Sequence, residues 1–217
     1  TKAIEAITDY FASALTFNND GTKMYTSSMK ASDTDDKVYE YDLTTAYDIS
    51  TATLRTSLHV GSYPEPGESN TGNHGAMQVV FNNDGTKMFI ADHNRTIIEW
   101  TLTTPYDIDT ASTTFNLGQS FDTGGQEKRP TSVAFNNDGT KMYVAGNEKS
   151  DANPGEVNEY TLDTPFVITS GVTHINTEDL SSDHSYIDGI VFNYDGTKMY
   201  TTDSVDNVIN QYKLTTA

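Results

Sequence analysis

Short apolar runs recur along the chain, and a polar turn follows each of them at once. Leu15 and Phe17 lead into Asn-Asn-Asp-Gly, and a second apolar run then begins Lys-Met-Tyr. An Asp-Gly pair between two such runs is typical of a β-hairpin, because glycine accepts a positive φ and aspartate caps its own turn. The nine-residue segment occurs four times, with one Asn→Tyr and one Tyr→Phe difference, at residues 17–25, 81–89, 135–143 and 192–200.

Each copy of the hairpin is followed by a further strand with its own signature. The pattern is Val/Ile-x-Glu/Gln-aromatic-x-Leu, in which the aromatic residue and the leucine share one face of a strand. A Thr-rich turn then precedes a fourth strand in the first three repeats. The intervals between copies, from 17 to 81, 81 to 135 and 135 to 192, are 64, 54 and 57 residues, which suits one four-stranded blade per repeat.

The repeats predict an all-β fold: a β-propeller of four blades, each with four antiparallel strands. We expect residues 1–217 to form a single domain, with blade repeats that start near residues 11, 76, 130 and 187. The last repeat ends before a fourth strand, so residues 1–8 are predicted to complete it as a closing strand and to remove an exposed edge. Helical spacing of Ile4, Ile7, Phe11 and Leu15 is the rival interpretation, which we favour less.

The run Phe-Asn-Asn-Asp-Gly-Thr-Lys-Met-Tyr, followed by Val/Ile-x-Glu-Tyr-x-Leu, resembles the Ser-Pro-Asp-Gly-Lys repeats of YVTN-type and TolB-type β-propellers. Its Asn-Asn-Asp-Gly form is similar to repeats in large secreted or surface proteins of aquatic bacteria and their phages. The resemblance implies that Asp-Gly joins the two inner strands of each blade. Four blades are fewer than such rings usually have, so the four close alone, pair with another chain, or belong to a longer array.

Charge narrows the range of partners. The chain has 31 acidic and 13 basic residues and a formal net charge of −18, so its surface repels nucleic acids and anionic lipid head groups. It contains no cysteine, and no apolar run approaches the roughly 20 residues that span a bilayer. We therefore expect neither nucleic acid binding nor membrane insertion. Richness in Thr, Ser, Asn, Asp and Gly favours an extracellular, cell-surface or virion-surface location.

The repeated charged residues are interpreted as scaffold. Lys23, Lys87 and Lys141 begin the second strands, and the glutamates of the third strands are placed to pair with them across the sheet. Binding is instead expected where the repeats differ, in the connections at the opposite end from the hairpins, because varied loops on a rigid scaffold are the usual place for a binding site. The candidate ligand-binding residues there are Tyr63, His74, His93, Arg95, Arg129, His184 and Tyr186.

Metal binding is the weaker prediction. Acidic loops offer the oxygen ligands that Ca²⁺ prefers, but none has the spacing of an EF-hand, and the histidines fall singly. The candidate calcium ligands are Asp33, Asp35, Asp151, Asn153, Asp203 and Asp206. No other cofactor is expected.

The sequence offers little for catalysis, since it has no nucleophile elbow, P-loop or dinucleotide motif. The first hypothesis is a non-catalytic recognition or display module, extracellular or on a virion, that binds a glycan or a protein through the variable loops. The alternatives are a metal-dependent hydrolase, lactonase-like or glycosidase-like, and a structural spacer within a larger fibre or surface layer.

Overall fold

The computed structural model describes residues 11–29, 36–60, 75–111, 119–147 and 155–214. Within these ranges the chain forms β-strands and two three-residue 3-10 helices, Ile49–Thr51 and Ile108–Thr110, so no described helix is long enough to cross a membrane. The predicted all-β class is confirmed.

Four antiparallel sheets follow one another along the chain, each with its strands in sequence order. The first contains β1 (Phe11–Phe17), β2 (Lys23–Met29), β3 (Lys37–Leu43) and β4 (Ala52–His59), and the second contains β5 (Ala76–Phe81), β6 (Lys87–Asp92), β7 (Thr96–Thr101) and β8 (Ser120–Asp122). The third contains β9 (Pro130–Phe135), β10 (Lys141–Gly146), β11 (Glu156–Leu162) and β12 (Val172–Asp179), and the fourth contains β13 (Gly189–Phe192), β14 (Lys198–Asp203) and β15 (Val208–Lys213).

The sheets are the four blades of a β-propeller, as the repeats predicted. Their first strands begin at Phe11, Ala76, Pro130 and Gly189, within two residues of the expected starts. Three strands of the fourth blade lie in the described ranges, and the predicted closing strand at residues 1–8 lies outside them. Phe11 and Leu15 belong to β1, so the helical alternative is wrong for this stretch.

The chain divides into two compact units, Thr1–Asn94 with Ile98–Gln119 and Arg95–Ile97 with Ser120–Ala217. In the first unit, a core cluster joins Tyr25 and Val38 of the first blade to Met88 and Trp100 of the second. In the second unit, Val157 of the third blade packs in a cluster with the apolar residues Ile187, Ile190 and Met199, which precede or belong to the fourth blade. The aromatic residue and the leucine of the third strand belong to the first cluster in the second blade, as Trp100 and Leu102, and pack against the second cluster in the fourth blade, as Tyr212 and Leu214.

The Asn-Asn-Asp-Gly segment is a self-contained turn. In the first copy, the side chain of Asn18 accepts from the N–H of Lys23 at 2.9 Å, and Asp20 accepts from the N–H and hydroxyl of Thr22. The hydroxyl and N–H of Thr22 lower the pKa of Asp20. Gly21 has φ 70°, and the equivalent glycines have φ between 68° and 71°. The segment is therefore scaffold.

An aromatic residue of each described Thr-rich turn covers the glycine of the hairpin in the same blade. The three residues adopt left-handed φ angles of 55° to 59°, and each donates its backbone N–H to the glycine carbonyl at 2.8 to 2.9 Å. The pairs are Tyr47 on Gly21, Tyr106 on Gly85 and Phe166 on Gly139. A Cβ atom on Gly85 would lie 2.2 Å from the ring of Tyr106, so only glycine fits beneath it.

The predicted lysine–glutamate pairs are present in the first three blades. Lys23 bonds to Glu40, Lys87 to Glu99 at 2.6 Å, and Lys141 to Glu159 at 2.8 Å. Each pair is diagonal, because Lys23 stands opposite Asp42 in the register while Glu40 stands opposite Tyr25. Glu40 also accepts from Arg55 at 3.0 Å.

We predict that Gly85→Ala lowers the free energy of unfolding by about 2–4 kcal/mol, because it adds a left-handed penalty to the overlap with Tyr106. The matched control is Gly125→Ala, since a Cβ there meets nothing within 4 Å and should change stability by less than about 0.5 kcal/mol. Urea unfolding followed by circular dichroism and Trp100 fluorescence measures both. Equal stability of the two variants would contradict the prediction.

Candidate functional site

The variable connections lie at the end of each sheet opposite the hairpins. In an antiparallel blade, the link between the second and third strands and the link to the next blade lie at one end of the sheet. The two tight turns lie at the other end. The described parts of these connections are residues 92–95 between β6 and β7, 122–129 between β8 and β9, 180–188 between β12 and β13, and 203–207 between β14 and β15.

Buried aspartates anchor two of these connections. Asp203, the last residue of β14, accepts from the N–H groups of Ser185 at 2.8 Å and Tyr186 at 3.0 Å, and from those of Val205 at 2.7 Å and Asp206 at 3.0 Å. Asp92, at the same position in β6, accepts from the N–H groups of Gly75 at 3.1 Å and Asn94 at 3.2 Å. Each carboxylate holds its own turn and the connection that enters the blade.

The third blade reaches the same result with different residues. Its second strand ends in Gly146, at the position that Asp92 holds in the second blade and Asp203 in the fourth. The buried Glu127 of the preceding connection lies against Gly146. A Cβ on Gly146 would lie 2.4 Å from the carboxyl carbon of Glu127. The Glu127 carboxylate accepts from the N–H of Arg129 at 2.8 Å. Glycine thus leaves room for a carboxylate that arrives from the loop.

His184 and Tyr186 meet at the Asp203 anchor. The His184 ring is buried, with 3% of the residue exposed, and its Nε2 lies 2.6 Å from the hydroxyl of Thr201. Its Nδ1 lies 3.7 Å from Asp203. Tyr186 is partly exposed, whereas His184 packs inside the blade and does not present its ring to a ligand.

Arg95 and Arg129 flank the connection at 122–129. Arg95 has φ 67°, and its guanidinium lies over Gly124 and 3.8 Å from the carboxylate of Asp122. Its carbonyl accepts from the N–H of Thr123 at 2.7 Å, and its side chain is 48% exposed. The carbonyl of Arg129 accepts from Asn147 at 3.2 Å. The two arginines therefore bracket one exposed loop.

His93 and Asp206 are the remaining candidates within the described residues. His93 is partly exposed, and its N–H donates to Gly75 at 3.1 Å in the first unit. Tyr63 and His74 lie outside the described residues, as do the candidate calcium ligands Asp33, Asp35, Asp151 and Asn153. Asp206 accepts from the N–H of Ser185 at 2.9 Å, beside Asp203.

The described residues include no group of three or more His, Asp or Glu side chains placed to hold a metal ion. The oxygens of Asp203 are already taken by four backbone N–H groups. Burial raises the pKa of Asp203, but these hydrogen bonds outweigh the burial and lower the pKa to about 2. The carboxylate is therefore a charged structural anchor.

Sequence reasoning named Asp203 as a candidate calcium ligand without its hydrogen bonds to the backbone, and it missed Asp92 and Glu127. Alignment of the Lys-Met-aromatic strands places Asp92 and Asp203 at the same position, so an anchor was detectable there. No repeated position indicated Glu127. It lies against Gly146 and belongs to the connection before the blade, not to the second strand.

No family model matches the chain, and no curated protein matches it significantly. Among solved structures it is similar to the β-propeller domain of Myceliophteria thermophila Cps50 (Swd1), at 12% identity and TM-score 0.53, over 95% of this chain and 55% of that one. It is also similar to a putative 6-phosphogluconolactonase from Bacteroides fragilis, at 14% identity and TM-score 0.57, over 98% and 53%. A third is Chaetomium thermophilum Sqt1 bound to the N-terminus of ribosomal protein L10, at 14% identity and TM-score 0.53, over 95% and 48%.

The chain spans about half the length of these structures. At such identities the likeness shows the β-propeller fold alone, which hosts many unrelated functions.

We predict that Asp203 makes stability fall in acid. Its native pKa of about 2 is below the unfolded value of about 3.9, so it contributes about 2–3 kcal/mol above pH 5, which is lost as the pH falls through 4 towards 2. Asp203→Asn should therefore be strongly destabilised at pH 7 and approach the unsubstituted protein near pH 2.5. Urea unfolding across this range measures the difference, and a gap independent of pH would refute the assignment.

Proposed function

We propose that the chain is a non-catalytic recognition module that binds a protein partner through the arginine loop, defined as Arg95 together with residues 122–129. The observation that carries the proposal is the left-handed backbone of Arg95. The corresponding residue in the fourth blade is Asn207, which also has positive φ, at 56°. Asparagine suits this conformation far better than arginine does.

The local contacts of Arg95, over Gly124 and to the N–H of Thr123, do not require a charged side chain. A strained non-glycine backbone costs on the order of 1–3 kcal/mol, whereas an exposed ion pair contributes about 0–1 kcal/mol. The pair with Asp122 joins two side chains that are each about half exposed, at 3.8 Å. Residues retained in unfavourable backbone conformations cluster at functional sites, which supports a role for the exposed guanidinium in binding.

Charge and side-chain chemistry support the same surface. Arginine is enriched in the binding hot spots of protein interfaces, where it offers directional hydrogen bonds and a large contact area. Arg95, Lys128 and Arg129 outnumber Asp122 and Glu127 in this loop, on a chain with a net charge of −18. We therefore expect the partner to present carboxylates to this loop.

The solved relatives support a protein rather than a glycan as the ligand. One similar structure is bound to the N-terminus of a ribosomal protein, and another belongs to a mitotic checkpoint complex, at 10% identity and TM-score 0.53. A glycan ligand is the alternative. The proposed extracellular, cell-surface or virion-surface location rests on composition and on the repeat resemblance, so it is tested separately, by localisation of the native protein.

We predict that Arg95→Asn preserves the fold and weakens binding. The substitution relieves the left-handed strain, so the free energy of unfolding should stay equal or rise by up to about 1 kcal/mol. Capture of partner proteins from the source organism by the immobilised chain should fall at least about tenfold, the loss typical of a hot-spot residue. The combination with Arg129→Gln should abolish capture.

The matched control for capture is Tyr194→Asn at the hairpin end. Tyr194 is exposed and occupies a position that is asparagine in the other three repeats, so its replacement should leave capture unchanged. A glycan array is probed with the same proteins. Unchanged capture by the double variant would refute the arginine loop as the site, and array binding without protein capture would replace the protein ligand by a glycan.

A further inference from the structure

Five Asp-Gly pairs occur in the chain, and four of them lie in the hairpin turns. Asp-Gly is the dipeptide most prone to isomerisation, because glycine has no Cβ to hinder attack by its backbone nitrogen on the aspartate side chain. The four hairpin aspartates are exposed; they are Asp20, Asp84, Asp138 and Asp195. These turns lie at the opposite end of the blades from the arginine loop, so their chemistry is independent of the proposed function.

Isomerisation begins when the glycine nitrogen attacks the carboxyl carbon of the preceding aspartate. A nitrogen–carbon bond forms, and one carboxyl oxygen leaves as water with the carboxyl proton and the proton of the glycine N–H. Water then opens the resulting succinimide at either carbonyl and gives aspartate or isoaspartate. Isoaspartate adds a methylene group to the backbone, which would break the geometry of the turn. The reaction therefore needs a protonated carboxyl group and a glycine nitrogen that is free to attack.

A threonine two residues after each hairpin aspartate opposes the first requirement. In the first turn, Oδ1 of Asp20 accepts from the N–H of Thr22 at 2.9 Å and from its hydroxyl at 2.6 Å. The other three turns repeat both bonds, at 3.0 Å from the N–H and 2.5 to 2.6 Å from the hydroxyl. The threonine hydroxyl, and then the N–H, lower the pKa of all four aspartates, which disfavours the protonated carboxyl.

An asparagine in each turn orients the hydroxyl and opposes the second requirement. The side-chain N–H of Asn18 donates to the hydroxyl oxygen of Thr22 at 3.3 Å, so the hydroxyl proton is directed to Asp20. The equivalent bonds in the other turns measure 3.1 to 3.2 Å. In all four turns the backbone carbonyl of this asparagine accepts the glycine N–H at 3.0 to 3.1 Å. The nitrogen that would attack is thus held in a hydrogen bond.

Other bonds hold the turn without the hydroxyl. The N–H of Lys23 donates to the side chain of Asn18 at 2.9 Å, and the N–H of Tyr47 donates to the carbonyl of Gly21 at 2.9 Å. Thr22 is exposed, and a single hydrogen bond in contact with water contributes little to stability. Folding alone therefore places a weak demand on a hydroxyl that all four turns carry.

The fifth Asp-Gly pair lacks this arrangement. Asp188-Gly189 lies at the start of β13, and Ile190 follows where a hairpin has its threonine. The carboxylate of Asp188 accepts from the backbone N–H of Ser204 at 2.6 Å. The threonine is thus a feature of the hairpin turns and not of every Asp-Gly pair in the chain.

We propose that the four hairpin aspartates are latent isoaspartate sites, and that the threonine hydroxyl keeps each of them unreacted. The asparagine, aspartate and threonine of each Asn-x-Asp-Gly-Thr turn form a chemical lock, in which the asparagine orients the hydroxyl and the hydroxyl holds the carboxylate. The lock protects the turn against spontaneous damage as the protein ages, in addition to shaping it.

The test removes one hydroxyl and compares four sites in the same molecule. Thr22→Val keeps the branched shape and the backbone N–H, whereas Thr22→Ser keeps the hydroxyl. Both variants and the unsubstituted protein are incubated at about 37 °C and about pH 5, where more carboxyl is protonated than at neutral pH. Peptide mapping by mass spectrometry then measures isoaspartate at each site.

Isoaspartate at Asp20 should form at least about fivefold faster in Thr22→Val, because a hydrogen bond to a charged group is lost. Thr22→Ser should stay within about twofold of the unsubstituted protein. The other three sites keep their threonines and should react at unchanged rates in both variants. Equal rates at Asp20 in the three proteins, an equal rise in both variants, or a rise at all four sites of Thr22→Val overturns the proposal.

Hydrogen exchange at Gly21 separates protection of the carboxylate from loss of order in the turn. The Gly21 N–H keeps its bond to Asn18 in Thr22→Val, so its exchange rate should change by less than about twofold and the Tm by less than about 4 °C. Exchange that rises in proportion to isomerisation would assign the hydroxyl to rigidity alone and overturn the lock.

A comparison that needs no variant uses the free peptide Asn-Asn-Asp-Gly-Thr-Lys-Met, residues 18–24, as the unprotected reference. Its aspartate in the Asp-Gly pair should isomerise at least about tenfold faster than Asp20 in the whole protein, because the peptide does not hold the turn. Equal rates in the peptide and the protein overturn the protection.

Discussion

Each of the first three blades depends on one contact between its two turns at the same end. An aromatic residue in a left-handed conformation donates its N–H to the carbonyl of the hairpin glycine and covers that glycine with its ring. The contact joins the turn between the first and second strands to the turn between the third and fourth strands. The four strands of the blade are therefore fixed in register from one end. It also explains why the first three hairpins carry glycine, because any Cβ there would occupy the position of the ring.

The opposite end of the second, third and fourth blades is held in another way. Carboxylates that are buried and hydrogen-bonded to backbone N–H groups fix the connections there, and they place no demand on the side chains of the residues they hold. On the neighbouring connection, Asp203 accepts hydrogen bonds from the backbone N–H groups of Ser185 and Tyr186. Loop sequences can therefore differ between blades while the loop backbone stays ordered, which is what a recognition surface requires.

Repetition made most of the scaffold predictable. The hairpins, the blade starts and the Lys–Glu pairs depend on residues within one repeat, whose spacing fixes their geometry. The site was less predictable because its contacts join distant residues: Asp203 meets an N–H group 18 residues away, and His184 is buried by the strand that follows it.

Gly146 and Glu127 carry a consequence for how such a chain can diverge or be redesigned. Because the acid of the third blade resides in the incoming loop and that of the fourth in the strand, the two loops are not interchangeable modules. A graft of the Glu127 loop onto a strand that ends in aspartate would crowd two carboxylates into one buried site, and the reverse graft would leave backbone N–H groups without an acceptor. Duplicated blades of this kind can exchange their loops only together with the last residue of the second strand.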